Sequence, residues 1–131
     1  MLKTIKREFR YYTRHIRWFY QRLSRGWDER ELWSLDITFA EYIVPRLKAF
    51  KEIHLSHVIC PGSLEGSYKG NLGETTKEEE ENLQEHWENI LSIMIEGFEI
   101  IKNEEYYFVE DIPKVNNALC LFHKYYFALW D

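Results

Sequence analysis

The sequence predicts an all-α fold, a four-helix bundle-like domain that spans residues 1–131. Two observations support this prediction. Apolar side chains recur at steps of three and four along four segments, which is the period of one helical face. Residue pairs suited to helix capping precede two of these segments. A length of 131 residues fits one domain with a buried core.

The first predicted helix, residues 1–25, is both basic and aromatic. Eight Lys and Arg residues and one Glu give this segment a charge of +7, whereas the rest of the chain carries −12. This separation indicates either pairing within the chain or an anionic partner for the first helix. Gly26 follows as a typical C-terminal stop. The apolar positions of the helix are Leu2, Ile5, Phe9, Tyr12, Ile16, Phe19 and Leu23.

The second predicted helix starts at Asp28, which forms a capping-box pattern with Glu31. Pro45 predicts a kink in this helix, or a split into two segments, because proline removes a backbone donor and clashes with the preceding turn. Residues 56–75 hold four of the six glycines without a helical or strand period, so they predict a long Gly-rich loop. The apolar face of the helix consists of Leu32, Phe39, Ala40, Ile43, Leu47 and Phe50.

Two further helices follow the predicted loop. The third begins near Thr76, which suits a capping box with Glu79, and Gly97 beside its apolar face predicts a close approach of another helix. The fourth opens at Asp111 and Pro113. The predicted apolar faces are Leu83, Trp87, Ile90, Met94, Phe98 and Ile101 on the third helix, and Val115, Leu119, Phe122, Tyr126 and Leu129 on the fourth.

Several short motifs resemble those of a set of small proteins encoded by tailed bacteriophages. The resemblance covers most of the chain from residue 25 onward. It implies a phage origin and a helical fold, and it carries over no catalytic residues. The motifs are RGWD at 25–28, LWSLD at 32–36, PRLK at 45–48, WENIL at 87–91 with MI at 94–95, LFHKYYF at 121–127 and LW at 129–130.

The composition favours a cytosolic protein, and with the phage origin that the resemblance implies, the expected location is the host cell cytoplasm. No apolar run is long enough to span a membrane, and no uninterrupted apolar region of a signal peptide is found. Free thiols at Cys60 and Cys120 are therefore expected. A net charge of −5 argues against a duplex-DNA binder, and an aromatic content of 17% predicts surplus surface that joins copies into a homo-oligomer.

The strongest candidate site is a stripe on the first helix, roughly opposite its apolar face at about 100° per residue. Guanidinium groups match phosphate oxygens, and aromatic rings stack on bases, so the stripe suits nucleotides, single-stranded nucleic acid or an anionic membrane surface. Alternatively, Tyr11 and Trp18 pack on another helix or protomer while the arginines pair with the acidic remainder. The stripe comprises Arg7, Tyr11, Arg14, Trp18, Arg22 and Arg25, with Arg10 and Arg17 beside it.

Asp36 is a second candidate, because it falls at the centre of the second helix's apolar face. A buried carboxylate needs a cationic partner, which Arg46 or an N-terminal arginine could supply. Asp36 would then be either a carboxylate of a functional site or one member of a buried structural ion pair. A zinc site is not predicted, since the spacing of the candidate ligands matches no known zinc module. Those ligands are His54, His57, Cys60, Cys120 and His123.

These features predict a non-enzymatic phage accessory protein without metal or cofactor. In this interpretation it sequesters a phosphate-bearing, nucleotide-like host immune signal. Arginines of the first helix bind the phosphates, and Tyr11, Trp18 and Trp27 stack on the base. The alternative is a helical protein-interaction module that binds a host or virion protein. No motif of a phosphate loop, a nucleophile elbow or a zinc protease is present.

Overall fold

A computed structural model of the chain describes residues 2–57, 61, 64, 76–103 and 108–129, with side chains described from Lys6 on except at positions 55–57. Every regular element in these residues is helical, which confirms the all-α prediction for this part of the chain. Two short 3-10 helices cover Glu29–Leu32 and Tyr126–Ala128. The four α-helices are α1 (Leu2–Arg25), α2 (Leu35–His57), α3 (Lys77–Lys102) and α4 (Ile112–Lys124).

The chain divides into two compact units, residues 1–38 and residues 39–131. The first unit contains α1, the 3-10 helix after it and the first turn of α2. The second unit contains the rest of α2 together with α3 and α4. That residues 1–131 form one domain, with all four helices in a bundle, stays a prediction. No helix in the described ranges combines the length and hydropathy that a membrane crossing requires.

The second helix starts later than predicted. Asp28 does form the predicted capping box: its Oδ1 accepts from the Arg30 amide at 3.1 Å, and its own amide donates to Glu31 Oε1 at 3.4 Å. The box caps the 3-10 helix, however, and α2 begins only at Leu35, so a helix start at Asp28 is wrong. The helix is continuous across Pro45 rather than split, and a kink there stays a prediction.

The predicted Gly-rich loop lies mostly outside the described residues. Its first two positions, 56 and 57, belong to α2. Within the loop, Pro61 and Leu64 are buried, and the Leu64 amide donates to the Pro61 carbonyl at 3.0 Å. The chain returns to a regular helix at the predicted capping box. There Thr76 Oγ1 accepts from the Glu79 amide at 3.3 Å, and Glu79 Oε2 accepts from the Thr76 amide at 3.1 Å.

The core of the second unit forms where α3 packs against α4. The predicted face of α3 is buried, apart from the half-buried Leu83. Gly97 allows the close approach, because a Cβ added there would overlap the Cβ of Ala118. Residues from α2 and the loop also belong to this core. Its buried members are Ala40, Val44, Leu47, Leu64, Trp87, Ile90, Leu91, Met94, Ile95, Phe98, Ile100, Ile101, Val115 and Tyr125.

The buried face of α4 differs from the prediction. Leu119 and Tyr126 are exposed, whereas Ala118 and Tyr125 are buried. Ala118 faces inward because it lies against Gly97. The chain leaves the α-helical period at Lys124 and continues as a 3-10 helix, so the spacing that pointed to residue 126 no longer applies. Tyr125 therefore meets the core, with its ring 5.5 Å from the Trp87 ring.

Candidate anion-binding helix

The helix α1 presents two chemically different faces. The apolar face is on the surface of the structure: each of its described side chains is between 63% and 71% exposed. The opposite face is basic and aromatic, as the sequence predicts. The described side chains of the apolar face are Phe9, Tyr12, Ile16, Phe19 and Leu23.

A tight turn after α1 brings acidic residues back to the basic face. Gly26 adopts the left-handed conformation at φ 81°, and its amide donates to the Arg22 carbonyl at 3.0 Å. This geometry ends the helix, and glycine adopts it without the steric cost of a Cβ. The residues that follow then form the 3-10 helix, whose carboxylates contact α1.

Glu29 binds the C-terminal half of the basic face. Its carboxylate accepts from Arg17 Nη2 at 2.7 Å and from Trp18 Nε1 at 3.1 Å. It also accepts from Gln21 Nε2 at 3.3 Å, while its amide donates to Gln21 Oε1. These hydrogen bonds lower the pKa of Glu29. The bond from Gln21 contributes most to the lowering, and the bond from Trp18 contributes next. The negative charge of Glu29 is thereby held beside Arg17. This pairing opposes the predicted role of Arg17 as a free phosphate ligand.

Asp28 is a second acidic anchor, and its side chain is fully buried. The Arg30 guanidinium donates to both of its oxygens, at 2.8 and 2.7 Å, and Arg22 lies 3.2 Å away. The hydrogen bonds from Arg30 hold the pKa of Asp28 far below its usual range. Arg22 also pairs with Glu31 at 2.7 Å. In this half of the stripe, Arg17 and Arg22 therefore pair with acidic residues of the same chain.

The turn should consequently respond to acid. The pKa of Asp28 is depressed from its ordinary value of 3.8, so its stabilisation is complete above that value and is lost as the pH falls through the lower, folded-state pKa. In an NMR titration, the Arg30 amide should shift with a midpoint well below 3.8. Asp28→Asn retains a capping side chain and should abolish this shift. A midpoint at or above 3.8 would contradict the described cluster.

The N-terminal half of the stripe is different. An open concavity of about 660 Å³ is lined by the cations Lys6, Arg7, Arg10 and Arg14 and by the rings of Tyr11 and Trp18. Within the described part of the chain these four cations form no ion pair with a carboxylate. The Tyr11 ring is 60% exposed, and its centroid lies 4.2 Å from the His15 ring. Positive charge and an accessible aromatic ring therefore coincide here.

The aromatic members of the predicted site differ in their availability. The Trp18 ring is half-buried, with the Arg30 guanidinium 4.5 Å above it. The Trp27 ring is 38% exposed and lies under the Arg25 guanidinium at 3.6 Å. Cation–π contacts therefore already occupy one face of each indole. Tyr11 is the ring that the structure leaves most accessible among the three predicted stacking residues.

Asp36 and Arg46 do not have the predicted environments. Asp36 is exposed in the first turn of α2, so the prediction of a buried carboxylate is wrong. The late start of α2 explains the error, because a carboxylate in a first turn is stabilised by the helix dipole. Arg46 Nη1 donates to the Tyr42 carbonyl at 2.7 Å, and its guanidinium stacks 3.6 Å above the Tyr42 ring.

The candidate metal ligands do not come together in the described residues, where no group of three His, Cys, Asp or Glu side chains could bind a metal ion. His54 is buried, and Cys120 is an exposed free thiol. Cys60 and the side chain of His57 lie outside the described residues.

Sequence reasoning missed the role of the 3-10 helix. The sequence predicted Asp28 only as a cap, and it did not identify Glu29 as the partner of Arg17 or Arg30 as the partner of Asp28. The available signal was Gly26, followed within five residues by three acids at positions 28, 29 and 31. A chain reversal after a basic helix places such acids against the last turns of that helix.

The fold and this site define a small all-α protein with a surface-exposed cationic and aromatic helix. No family model, curated protein or solved structure matches the chain.

Proposed function

We propose that this protein is a non-enzymatic binding protein that captures a phosphate-bearing, nucleotide-like ligand on the N-terminal half of α1. The supporting observation is the division of the basic face. Carboxylates of the acidic turn pair with Arg17 and Arg22, whereas Lys6, Arg7, Arg10 and Arg14 line one concavity without carboxylate partners among the described residues.

The spacing of these cations suits a short chain of phosphates. Arg7, Arg10 and Arg14 lie on successive turns and span roughly 10 Å along the helix axis. Each guanidinium can bind phosphate oxygens through two parallel hydrogen bonds. Tyr11 lies between them in sequence and offers an accessible ring on which a base can stack. The roles given to these arginines and to Tyr11 are phosphate binding and stacking, so the proposal is binding without turnover.

The resemblance to phage-encoded proteins extends this proposal to a biological setting. A phage protein that binds a nucleotide-like host immune signal would lower its free concentration in the host cytoplasm without chemistry.

Arg14→Ala should weaken binding of ATP by about ten- to a hundredfold, because it removes charge-assisted hydrogen bonds to phosphate. Isothermal titration calorimetry with ATP, and with pyrophosphate as a probe without a base, measures the loss. Arg17→Ala is the matched control: it removes the same charge from the same helix, but that charge is already paired with Glu29. Its effect should stay within about threefold.

Three results would contradict the proposal. The first is a native protein that binds neither ATP nor pyrophosphate. The second is an equal loss of ATP affinity in Arg14→Ala and Arg17→Ala. Binding that requires a single-stranded oligonucleotide and falls steeply with salt would point instead to a nucleic-acid binder, for which log affinity falls with log salt by roughly 0.7 per phosphate contacted. A small ligand bound by three or four cations has a shallow dependence.

A second candidate function is a helical module that binds a host or virion protein. Its supporting observation is the exposure of large side chains outside α1. Trp33 is 86% exposed and Phe127 is 84% exposed. Exposed aromatic side chains of this size are typical of protein contact sites. A binding partner that is lost with Trp33→Ser or Phe127→Ser, and retained with Arg14→Ala, would favour this function over ligand capture.

A further inference from the structure

The exposed apolar face of α1 has the spacing of a coiled-coil seam. Its described members follow one another at steps of three, four, three and four residues, which is the heptad pattern of alternating a and d positions. Exposed in isolation, such a seam costs free energy in water, so it is expected to be covered. The seam consists of Phe9, Tyr12, Ile16, Phe19 and Leu23, all on the surface of the structure.

The residues that flank the seam indicate what covers it. One row of residues borders the seam on each side of it. Glu8, the only acid on α1, lies in the same border row as Arg22, fourteen residues away. When two copies of α1 cross antiparallel, each border faces the same border of the other helix. The register that places Phe9 opposite the partner's Phe19 then places Glu8 opposite the partner's Arg22. A parallel pair would leave Glu8 facing the partner's Thr13.

The border row on the other side of the seam contains Lys6 and Tyr20, and these two side chains complement each other between the copies in the same register. Lys6 faces the partner's Tyr20, which favours a cation–π contact. Both contacts occur twice, because a twofold axis relates the copies. The remaining cations of α1 lie away from the two borders, so two strongly basic helices can approach through this face.

We propose that α1 pairs antiparallel with α1 of a second copy of this chain through this seam. Tyr12 then packs against the partner's Ile16, and the pairing is repeated by symmetry. Arg22 retains donors for the partner's Glu8, since its contacts with Asp28 and Glu31 both use Nη2. Arg7, Tyr11 and Arg14 point away from the seam, so each helix of the dimer presents its own anion-binding concavity outward.

An anionic membrane surface is the other chemistry that an amphipathic basic helix can meet. Two features favour the second copy. Glu8 borders the seam, where it would face lipid phosphates. In addition, Arg7 and Arg14 lie opposite the seam, where they would be farthest from the headgroups.

Ile16→Glu should raise the dissociation constant of the dimer by about a hundredfold, because it places two carboxylates in the apolar seam. Sedimentation velocity of the full chain over a concentration series measures this change. Ser24→Glu is the matched control: it adds the same charge to the same helix away from the seam, and it should leave the dimer intact. Circular dichroism verifies that both variants keep their helix content.

Cysteine crosslinking tests the orientation in a background with Cys60→Ser and Cys120→Ser. In the antiparallel register Thr13 faces the partner's Thr13, so Thr13→Cys should crosslink readily on oxidation. A parallel pair would bring Tyr12 against the partner's Tyr12, and Tyr12→Cys would crosslink instead.

Three results would overturn the proposal. These are a native chain that remains monomeric throughout the series, preferential crosslinking of Tyr12→Cys, and a monomer that binds phosphatidylserine vesicles through Ile16. None of them bears on ATP binding by Arg14.

Discussion

Gly97→Val should lower the free energy of unfolding by about 3 kcal/mol, because the added side chain must overlap the close contact between α3 and α4. A Cβ at this position would collide with the Cβ of Ala118 and would lie 3.3 Å from the Lys114 carbonyl oxygen. One of these atoms is a backbone oxygen of α4 and the other is a Cβ, so neither can rotate away. The clash is relieved only if the two helices move apart. Urea unfolding monitored by far-ultraviolet circular dichroism measures the loss.

Gly97→Ala separates this packing from helix propensity. In an open helix, replacing glycine by alanine stabilises by about 1 kcal/mol. Here it should destabilise, because a single methyl already meets Ala118. Adding Ala118→Gly should recover much of that loss, and the double-mutant cycle reports the coupling between the two positions. A Gly97→Ala variant at least as stable as the native chain would contradict the close packing of α3 on α4.

Trp87→Ala should have an effect of comparable or larger size, about 3–5 kcal/mol. The Trp87 side chain is 2% exposed, belongs to the core of the second unit and meets the Tyr125 ring edge-on. Its removal leaves a cavity beside Tyr125, where the C-terminal end of α4 meets α3. The unfolding free energy from the same urea experiment gives the magnitude.

Trp87→Phe provides the control for ring packing. The Trp87 indole N–H is buried, and it finds no acceptor among the residues that the structure describes. Replacing it with phenylalanine removes a polar group that has already lost its water. We therefore expect a loss below about 1.5 kcal/mol, from reduced volume alone. A Trp87→Phe variant as unstable as Trp87→Ala would show that the indole N–H has an essential partner.

The helices were predictable wherever a long apolar period and a local cap agree. The helix α3 is the clearest example: Thr76 and Glu79 cap it, and Gly97 marks its contact with Ala118. The start of α2 was not predictable in this way, because Asp28 caps a 3-10 helix as well as it would an α-helix. Local hydrogen bonding alone does not distinguish the two.

The candidate site was predictable only in its composition. Residue spacing placed Arg7, Tyr11 and Arg14 on one stripe, and the structure brings them to one concavity. Spacing could not show that Arg17 is paired with Glu29. That pairing depends on a chain reversal at Gly26, which is a tertiary event. Asp36 illustrates the same limit, because its inferred burial followed from a helix boundary seven residues too early.

The left-handed backbone at Gly26 means that handedness, not size, selects the residue at this turn. A Cβ built on Gly26 meets nothing within 4 Å, yet φ is 81°, a conformation that L-residues adopt at a cost of roughly 1–2 kcal/mol. The mirror-image amino acid carries no such penalty. In a chemically synthesised chain, D-alanine would fill the open space and restrict the unfolded state, whereas L-alanine of identical volume would strain the reversal that brings Glu29 to α1.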